Sequence, residues 1–462
     1  MFRSKGPPPQ ETLWIATERL APIPSNSFYE RVDRALVNAD FAQAVETACA
    51  PYYEMDESRG GRPGIDPVVY FKMLMVGFFE GLGSERAIAA RCADSLAIRT
   101  FLHYTLEEAT PNHSTLTVIR QRLDAAVYDA VFAVLLRALK RQRLLRGKRL
   151  AIDASVLEAN ASLRSLEHRL TGEAYQAYIK RLADAAGVDT TDTAAVRRFD
   201  KKRKGRTTSN DDWQNPHDPD AKIGRTKRGA TRMIHKAEHV VDLDTGAILD
   251  VDVRPGDEHD TEQLTQRILE AEGRINTALG GDPHTPLMEV FVGDKGYYHV
   301  EELRTLQDSD IRTVVSDPLD NRRVDRLTPE AQAAVRAARR AVQSKSGKAL
   351  LRRRGEVVER SFEHVLDCGG ARRTTLRGRA NVRKRYLVQA MCANLSLLLR
   401  ALGGPGTLKQ TWAASAEACS AFFASLRTLP RPMWARVALL AHLTAVLLLL
   451  TQQANPLAHA RR

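Results

Sequence analysis

The sequence predicts an α/β protein in which an all-helical N-terminal region precedes a mixed-sheet core and a helical C-terminal tail. Three observations lead there. Residues from about 28 to 145 repeat apolar positions at spacings of three and four, the signature of amphipathic helices. At Arg149 the pattern changes to short apolar runs, 150–152, 288–293 and 311–316, separated by helical stretches. Two of these runs stop at an aspartate, Asp153 and Asp294, where open α/β sheets place their sites.

Taken in order, residues 1–27 form an N-terminal arm without the apolar core of a signal peptide. Helices are expected over 28–49, 67–79 and 114–139. Between them Gly81 and Gly83 end one helix, and Ser84 can cap the next by accepting a backbone N–H. The resulting short helix, turn and helix reads either as a helix-turn-helix-like DNA reader or as a plain structural bundle. The second domain covers 146–402. Its basic, turn-rich insertion at about 160–232 is expected to be partly helical before residue 187 and partly disordered after it. Asp244-Thr245-Gly246 separates two β-branched runs, a hairpin signal. A helix is expected at 262–279, with the acidic cluster Asp257-Glu258-His259-Asp260 at its start, where the helix dipole favours carboxylates. After the strand at 288–293 come a helix at 300–306 and a strand at 311–316. An exposed basic helix at 328–344, a helix carrying Glu359 and a long helix at about 381–402 follow. The tail is 403–462. Within it the apolar stretch 433–450 is interrupted by Arg436 and His442 and reads as a packed helix rather than a membrane span.

The chain has 462 residues and a formal net charge of +13, which favours a polyanionic partner, most simply nucleic acid. The charge is clustered, in 201–206, in 352–354, and in Arg372, Arg373, Arg377, Arg379, Arg383, Lys384 and Arg385. Five scattered cysteines without a Cys-x-x-Cys pair indicate neither a zinc ribbon nor a disulfide framework and fit a reducing cytoplasm.

Asp153, Asp294 and Glu359 are the candidate catalytic and metal-binding residues. Carboxylates are the hard oxygen ligands that hold two Mg²⁺ about 4 Å apart across a scissile phosphate. The bland alternative for each aspartate is a strand end that caps its own turn. Glu359 competes with Glu356 and Glu363, each about one helical turn away. Lys295 is a candidate phosphate contact. The basic run from Arg372 to Arg385 lies beside the third carboxylate, where a DNA backbone would pass.

The segments IDASVLEANAS (152–162), GDKGYY (293–298) and VVERSFEHV (357–365), the last followed by a basic helix ending in Ala393-Asn394-Leu395, resemble the DDE transposases of bacterial insertion sequences. Residues 61–92 and 111–123 resemble the helical N-terminal domain of the same enzymes, so the similarity runs from about 25 to 400. The resemblance implies an RNase H-like core whose two Asp and one Glu hold two Mg²⁺ ions, with Mn²⁺ as a substitute. It implies cleavage of double-stranded DNA at the terminal inverted repeats of an element and strand transfer into target DNA. It also implies a homodimer working without a membrane at the cytoplasmic nucleoid. Many relatives carry an Arg four positions before the Glu and a Lys seven after it. Here those positions are Gly355 and Leu366, with Arg352, Arg354, Arg372 and Arg373 nearby. Two other readings stay open: a non-catalytic DNA-binding protein derived from a transposase, and an RNase H-like nuclease without strand transfer.

Overall fold

The N-terminal helices are short because polar caps interrupt longer apolar patterns. The computed structural model describes residues 27–53, 64–204, 209–226, 229–318 and 321–407, with Gln410, Thr411, Glu417 and Ser420 beyond them. The expected arm at 1–27 (apart from Ser27), the apolar stretch 433–450 and nearly all of the expected helical tail lie outside the described residues. Helices α1 (Ser27–Asn38) and α2 (Phe41–Cys49) replace the single helix expected over 28–49. The break is at Asp40, whose φ of 56° is left-handed, a conformation that short polar side chains tolerate. Helix α3 (Pro67–Phe79) follows the expected bounds, and its first turn is capped by Asp66, which accepts from the N–H of Val68. Ser84 caps α4 (Glu85–Asp94) by accepting from the N–H of Ala87 at 3.1 Å, as its position in the sequence suggests. Ser95 alone turns the chain into α5 (Leu96–Phe101). The helix expected at 114–139 is also two, α6 (His113–Arg122) and α7 (Ala125–Arg141), because Asp124 stops one and caps the other.

Strand β1 runs Arg149–Glu158, well past the short run expected. Asp153 therefore sits mid-strand and not at a tip. The reason is pairing: β5 (Thr231–Asp242) lies antiparallel along the whole of β1, from Leu150 opposite Asp242 to Glu158 opposite Ile234. Between them the insertion holds a two-stranded ribbon, β2 (Glu167–His168) with β3 (Trp213–Gln214), and strand β4 (Lys222–Arg225). It also holds helices α8 (Tyr175–Ala185) and α9 (Thr193–Lys202). Helix α9 falls in the part where partial disorder was expected. Asp192 caps it, and Val196 packs with Ile179 and Ala183 of α8, so a small local core orders a segment whose overall composition is polar.

The hairpin is present: β6 (Ile248–Pro255) returns against β5. Helix α10 (Leu264–Ala278) leads to β7 (Val290–Gly293), α11 (Val300–Asp308) and β8 (Arg312–Val315). The sheet order is β4-β5-β1-β7-β8, with β6 also on β5; β7 and β8 run parallel to β1, and β5 antiparallel to it. This mixed sheet flanked by helices is an RNase H-like core. Helix α12 (Pro329–Gln343) is not fully exposed as expected, since Ala331, Ala334, Val335 and Ala338 bury one face. Helix α13 (Lys345–Phe362) ends in a π-helical turn, Glu363–Cys368, and α14 (Arg379–Ala401) closes the described fold. The regions expected as two domains, 28–145 and 146–402, fall in one compact unit that extends to Gly404.

Candidate active site

In an antiparallel pair, directly opposed residues point to the same face and neighbours alternate. Asp153 and His239 are opposed, so they share a face, and both meet α13 there. Ala154 and Glu238 take the other face, where Arg254 and Arg267 pair with Glu238. His239 fixes the α13 side. Its Nδ1 lies 2.9 Å from Ser361 Oγ, its Nε2 lies 2.7 Å from Tyr386 Oη, and its ring stacks on Phe362 at 4.0 Å. Burial drives its pKa down to about 3, so it is a neutral clamp that ties α13 and α14 to the strand beside Asp153.

Asp294 ends β7 and caps its own turn, accepting from the N–H of Gly296 at 2.8 Å. A side chain at Gly296 would crowd the site, since an added Cβ would stand 3.0 Å from Asp294 Oδ1. Asp153 and Asp294 converge on one cation. Arg354 Nη2, from α13, is 2.9 Å from Asp153 Oδ2 and 3.8 Å from Asp294 Oδ2. Burial pushes the Asp153 carboxyl up to about 6; Arg354 opposes that shift, and Asp294 and Asp260 add to it. The hydroxyl of Tyr297 is buried nearby without a hydrogen-bond partner among the described residues.

Glu359 does not join this pair. It is exposed on α13, and no described contact links it to either aspartate. Five residues after Arg354, it points about 140° away around the helix. Of its competitors, Glu356 is exposed and pairs with Arg360 at 2.7 Å, and Glu363 is exposed in the π-helical turn. Among the described residues no three His, Cys, Asp or Glu side chains gather as a metal cage. The two aspartates fit a cation all the same, because a single guanidinium nitrogen already reaches both.

Asp260 and Lys236 belong to the neighbourhood and were missed. The acidic cluster at 257–260 is not a helix start, since α10 begins at Leu264. It is an ionic network instead: Lys236 Nζ is 3.0 Å from Asp260 Oδ1, and Glu258 pairs with the buried Arg254. No spacing in the sequence links Asp260 to Asp153; only the fold does.

The basic residues separate into two groups. Arg383, Lys384 and Arg385, expected at a DNA backbone, are turned inward in this structure. Arg383 forks onto Asp129 at 2.9 and 3.0 Å and reaches Asp252 at 3.1 Å. Lys384, 9% exposed, donates to the carbonyls of Arg120 and Leu123, the orphan acceptors at the end of α6. Arg385 donates to the carbonyl of Leu82. These are contacts that bind α14 to the N-terminal helices. Lys295, Arg372, Arg373, Arg377 and Arg379 are exposed. Arg372 pairs with Asp367 at 2.6 Å. Arg373 and Arg377, with Arg164, Arg232 and His217, line an open cavity of about 540 Å³ at the far end of β1, around the carboxylate of Glu158. Arg164 and Arg232 come from the insertion and from β5 and carry no motif. The cavity begins five residues beyond Asp153 on the same strand, ~17 Å along it.

Comparison with known proteins gives two matches. Residues 17–122 match the family described as Transposase domain (DUF772), and residues 176–395 match Transposase DDE domain. Together they span most of the chain. The chain belongs to the DDE transposases. Asp294 and Glu359 lie within the DDE match, whereas Asp153 precedes it and is joined to Asp294 by the sheet. No curated protein and no solved structure matches this transposase significantly. Among the described residues no helix is long and apolar enough to cross a membrane.

Proposed function

We propose that this transposase cuts double-stranded DNA at the ends of its insertion sequence and joins the freed 3′ ends to target DNA. Asp153 and Asp294 carry the chemistry in this reading, and Glu359 is proposed as the third ligand on its sequence motif alone, since the structure leaves it apart from the pair. The observation that supports it most is the convergence of Asp153 and Asp294, from parallel neighbouring strands, on a single cation. Such a pair suits a divalent ion, Mg²⁺ in the first instance, which when bound supplies Lewis acidity at the scissile phosphate. The chain's own work is to hold that phosphate between the sheet edge and α13. Water oxygen bonds to phosphorus, the P–O3′ bond breaks, and its electron pair leaves with the 3′ oxygen, which takes up a proton. That 3′ hydroxyl then loses its proton as it attacks a target phosphodiester and displaces a second 3′ oxygen. Exposed Lys295, Arg372, Arg373, Arg377 and Arg379 neutralise flanking phosphates without reading bases. Because two ends must be joined in one event, the assembly is a homodimer, working at the cytoplasmic nucleoid.

The test is a nicking and strand-transfer assay on DNA carrying the element's inverted repeats, with Mg²⁺ or EDTA. Metal-dependent nicks at the ends and joined products are expected. Nicks without joined products would leave an RNase H-like nuclease. One observation favours a second reading, a DNA-binding protein with a decayed site: Glu359 stands apart from the aspartates. Sequence-specific DNA binding with no nicking in any divalent metal would establish that reading. Glu359→Gln should lose activity by several orders of magnitude, since an amide oxygen is a poor ligand for Mg²⁺, whereas Glu356→Gln and Glu363→Gln should retain most of it.

A further inference from the structure

We propose that Arg354 is a built-in counter-cation of the Asp153–Asp294 pair, a positioning residue that holds the two carboxylates together in the free protein and gives way when a divalent metal binds. The inference rests on the metal-binding reading of that pair. Two carboxylates brought onto adjacent strands repel each other, and Asp260 adds a third negative charge. Lys236 answers Asp260. Only the Arg354 guanidinium lies against both aspartates among the described contacts.

The contact is of an unusual kind. A structural arginine on a carboxylate normally uses two parallel N–H bonds, as Arg383 does on Asp129. Arg354 lies against Asp153 and Asp294 without that fork. Its Nε and Nη2 are buried yet form no hydrogen bond of acceptable geometry. The side chain, 14% exposed, is thus attracted by charge and under-satisfied as a donor. It occupies the place between the carboxylates that a metal ion would need.

The backbone beneath it is fixed. Leu350, Val357, Val358, Ser361 and Phe362 bury the same side of α13. Displacement therefore means rotation of a long side chain about a fixed Cα. Beside it, an added Cβ on Gly355 would meet nothing within 4 Å, so the neighbouring surface is open. Swung out, the guanidinium stays within a side-chain length of the aspartates, where the two non-bridging oxygens of a DNA phosphate offer the paired acceptors it lacks here.

The experiment titrates Mn²⁺ alone, without DNA, into the full-length protein and reads bound metal by electron paramagnetic resonance or calorimetry. Arg354→Gln should bind Mn²⁺ about tenfold more tightly than the unmodified protein, within the usual range of coupling between two ligands of one site. Its metal-free form in EDTA should melt several degrees lower, with Mn²⁺ restoring the loss. Arg354→Lys, which keeps the charge, should bind Mn²⁺ like the unmodified protein. Equal or weaker Mn²⁺ binding by folded Arg354→Gln would overturn the proposal. Asp153→Asn separates that failure from the failure of the metal site itself. If it binds Mn²⁺ as the unmodified protein does, the pair is not the metal site and both readings fall; if it loses binding while Arg354→Gln gains nothing, only the role of Arg354 falls.

Discussion

Two groups of cations lie close together in this sequence and do opposite things. Arg383, Lys384 and Arg385 on α14 are enclosed, forked onto carboxylates or donating to carbonyls of the N-terminal helices. Arg373 and Arg377, a few residues earlier, stand with Arg164 and Arg232 around one half-buried glutamate at an open cavity. The first group has its acceptors within the fold. In the second, Arg232 and Arg373 share Glu158, at 3.6 and 3.9 Å from its carboxylate, among the described residues Arg377 donates only to the carbonyl of Asn160, and the surplus charge faces outward. Density of positive charge along a chain does not identify a phosphate-binding surface. The supply of protein acceptors around each cation does.

The comparison can be broken most sharply at the carboxylates. Asp153→Ala or Asp294→Ala should reduce nicking by several orders of magnitude and leave the affinity for DNA within a few-fold, measured by gel shift, because ion ligation and backbone contact are separate functions. A comparable loss of DNA binding would merge the two functions.

Next in size are the enclosed cations. Arg383→Ala strands Asp129 and Asp252 and should lower stability by ~2 kcal/mol in urea unfolding, discounted from the cost of a fully buried pair because both aspartates are partly exposed. The slope of log affinity for DNA against log salt should not change. A reduced slope in a stable variant would put Arg383 with the outward group.

His239 supplies a pH test of the clamp that joins these regions. Its folded pKa, about 3, lies below the ordinary value of 6.5. Below pH 6.5 the unfolded chain takes up a proton that the folded one refuses, so stability falls as pH drops, by up to ~3 kcal/mol at pH 4. His239→Gln, although less stable at pH 7, should flatten that part of the pH profile. Parallel profiles for the two proteins would mean that the imidazole titrates freely.

The smallest effect belongs to the cavity. Arg164→Gln with Arg232→Gln should reduce the salt slope by about two units, roughly one per phosphate contact, and leave stability within ~0.5 kcal/mol. An unchanged slope would remove the cavity from the DNA path.

Much of this was legible in the sequence where local chemistry decides structure. The Ser84 cap, the 244–246 hairpin, α3 and the strand-end position of Asp294 follow from spacing and turn residues. The full length of β1 was not, since polar residues after Asp153 are held in the strand by pairing with β5. Nor was α9, whose order depends on three apolar side chains meeting. Arg354 looked like one of three equivalent arginines at 352–354, and only helix phase against the sheet singles it out. Asn394 is the converse case. It stood out in the Ala-Asn-Leu segment, and its amide pairs with both the N–H and the carbonyl of Ile248, fastening α14 to the start of β6.

That fastening bears on how the protein is made. Helix α14 is synthesised after every strand, yet it packs on β6, on α3 and α7, and through Tyr386 on the histidine beside Asp153. Contacts so distant in sequence form late. A ribosome-bound chain that stops before Arg379 should therefore be readily digested by protease, and resistance should appear only once residue 401 has emerged. Protection of shorter chains would show that the sheet closes without its last helix. Competence to bring the two aspartates together is in this way deferred until translation has nearly reached the end of the fold.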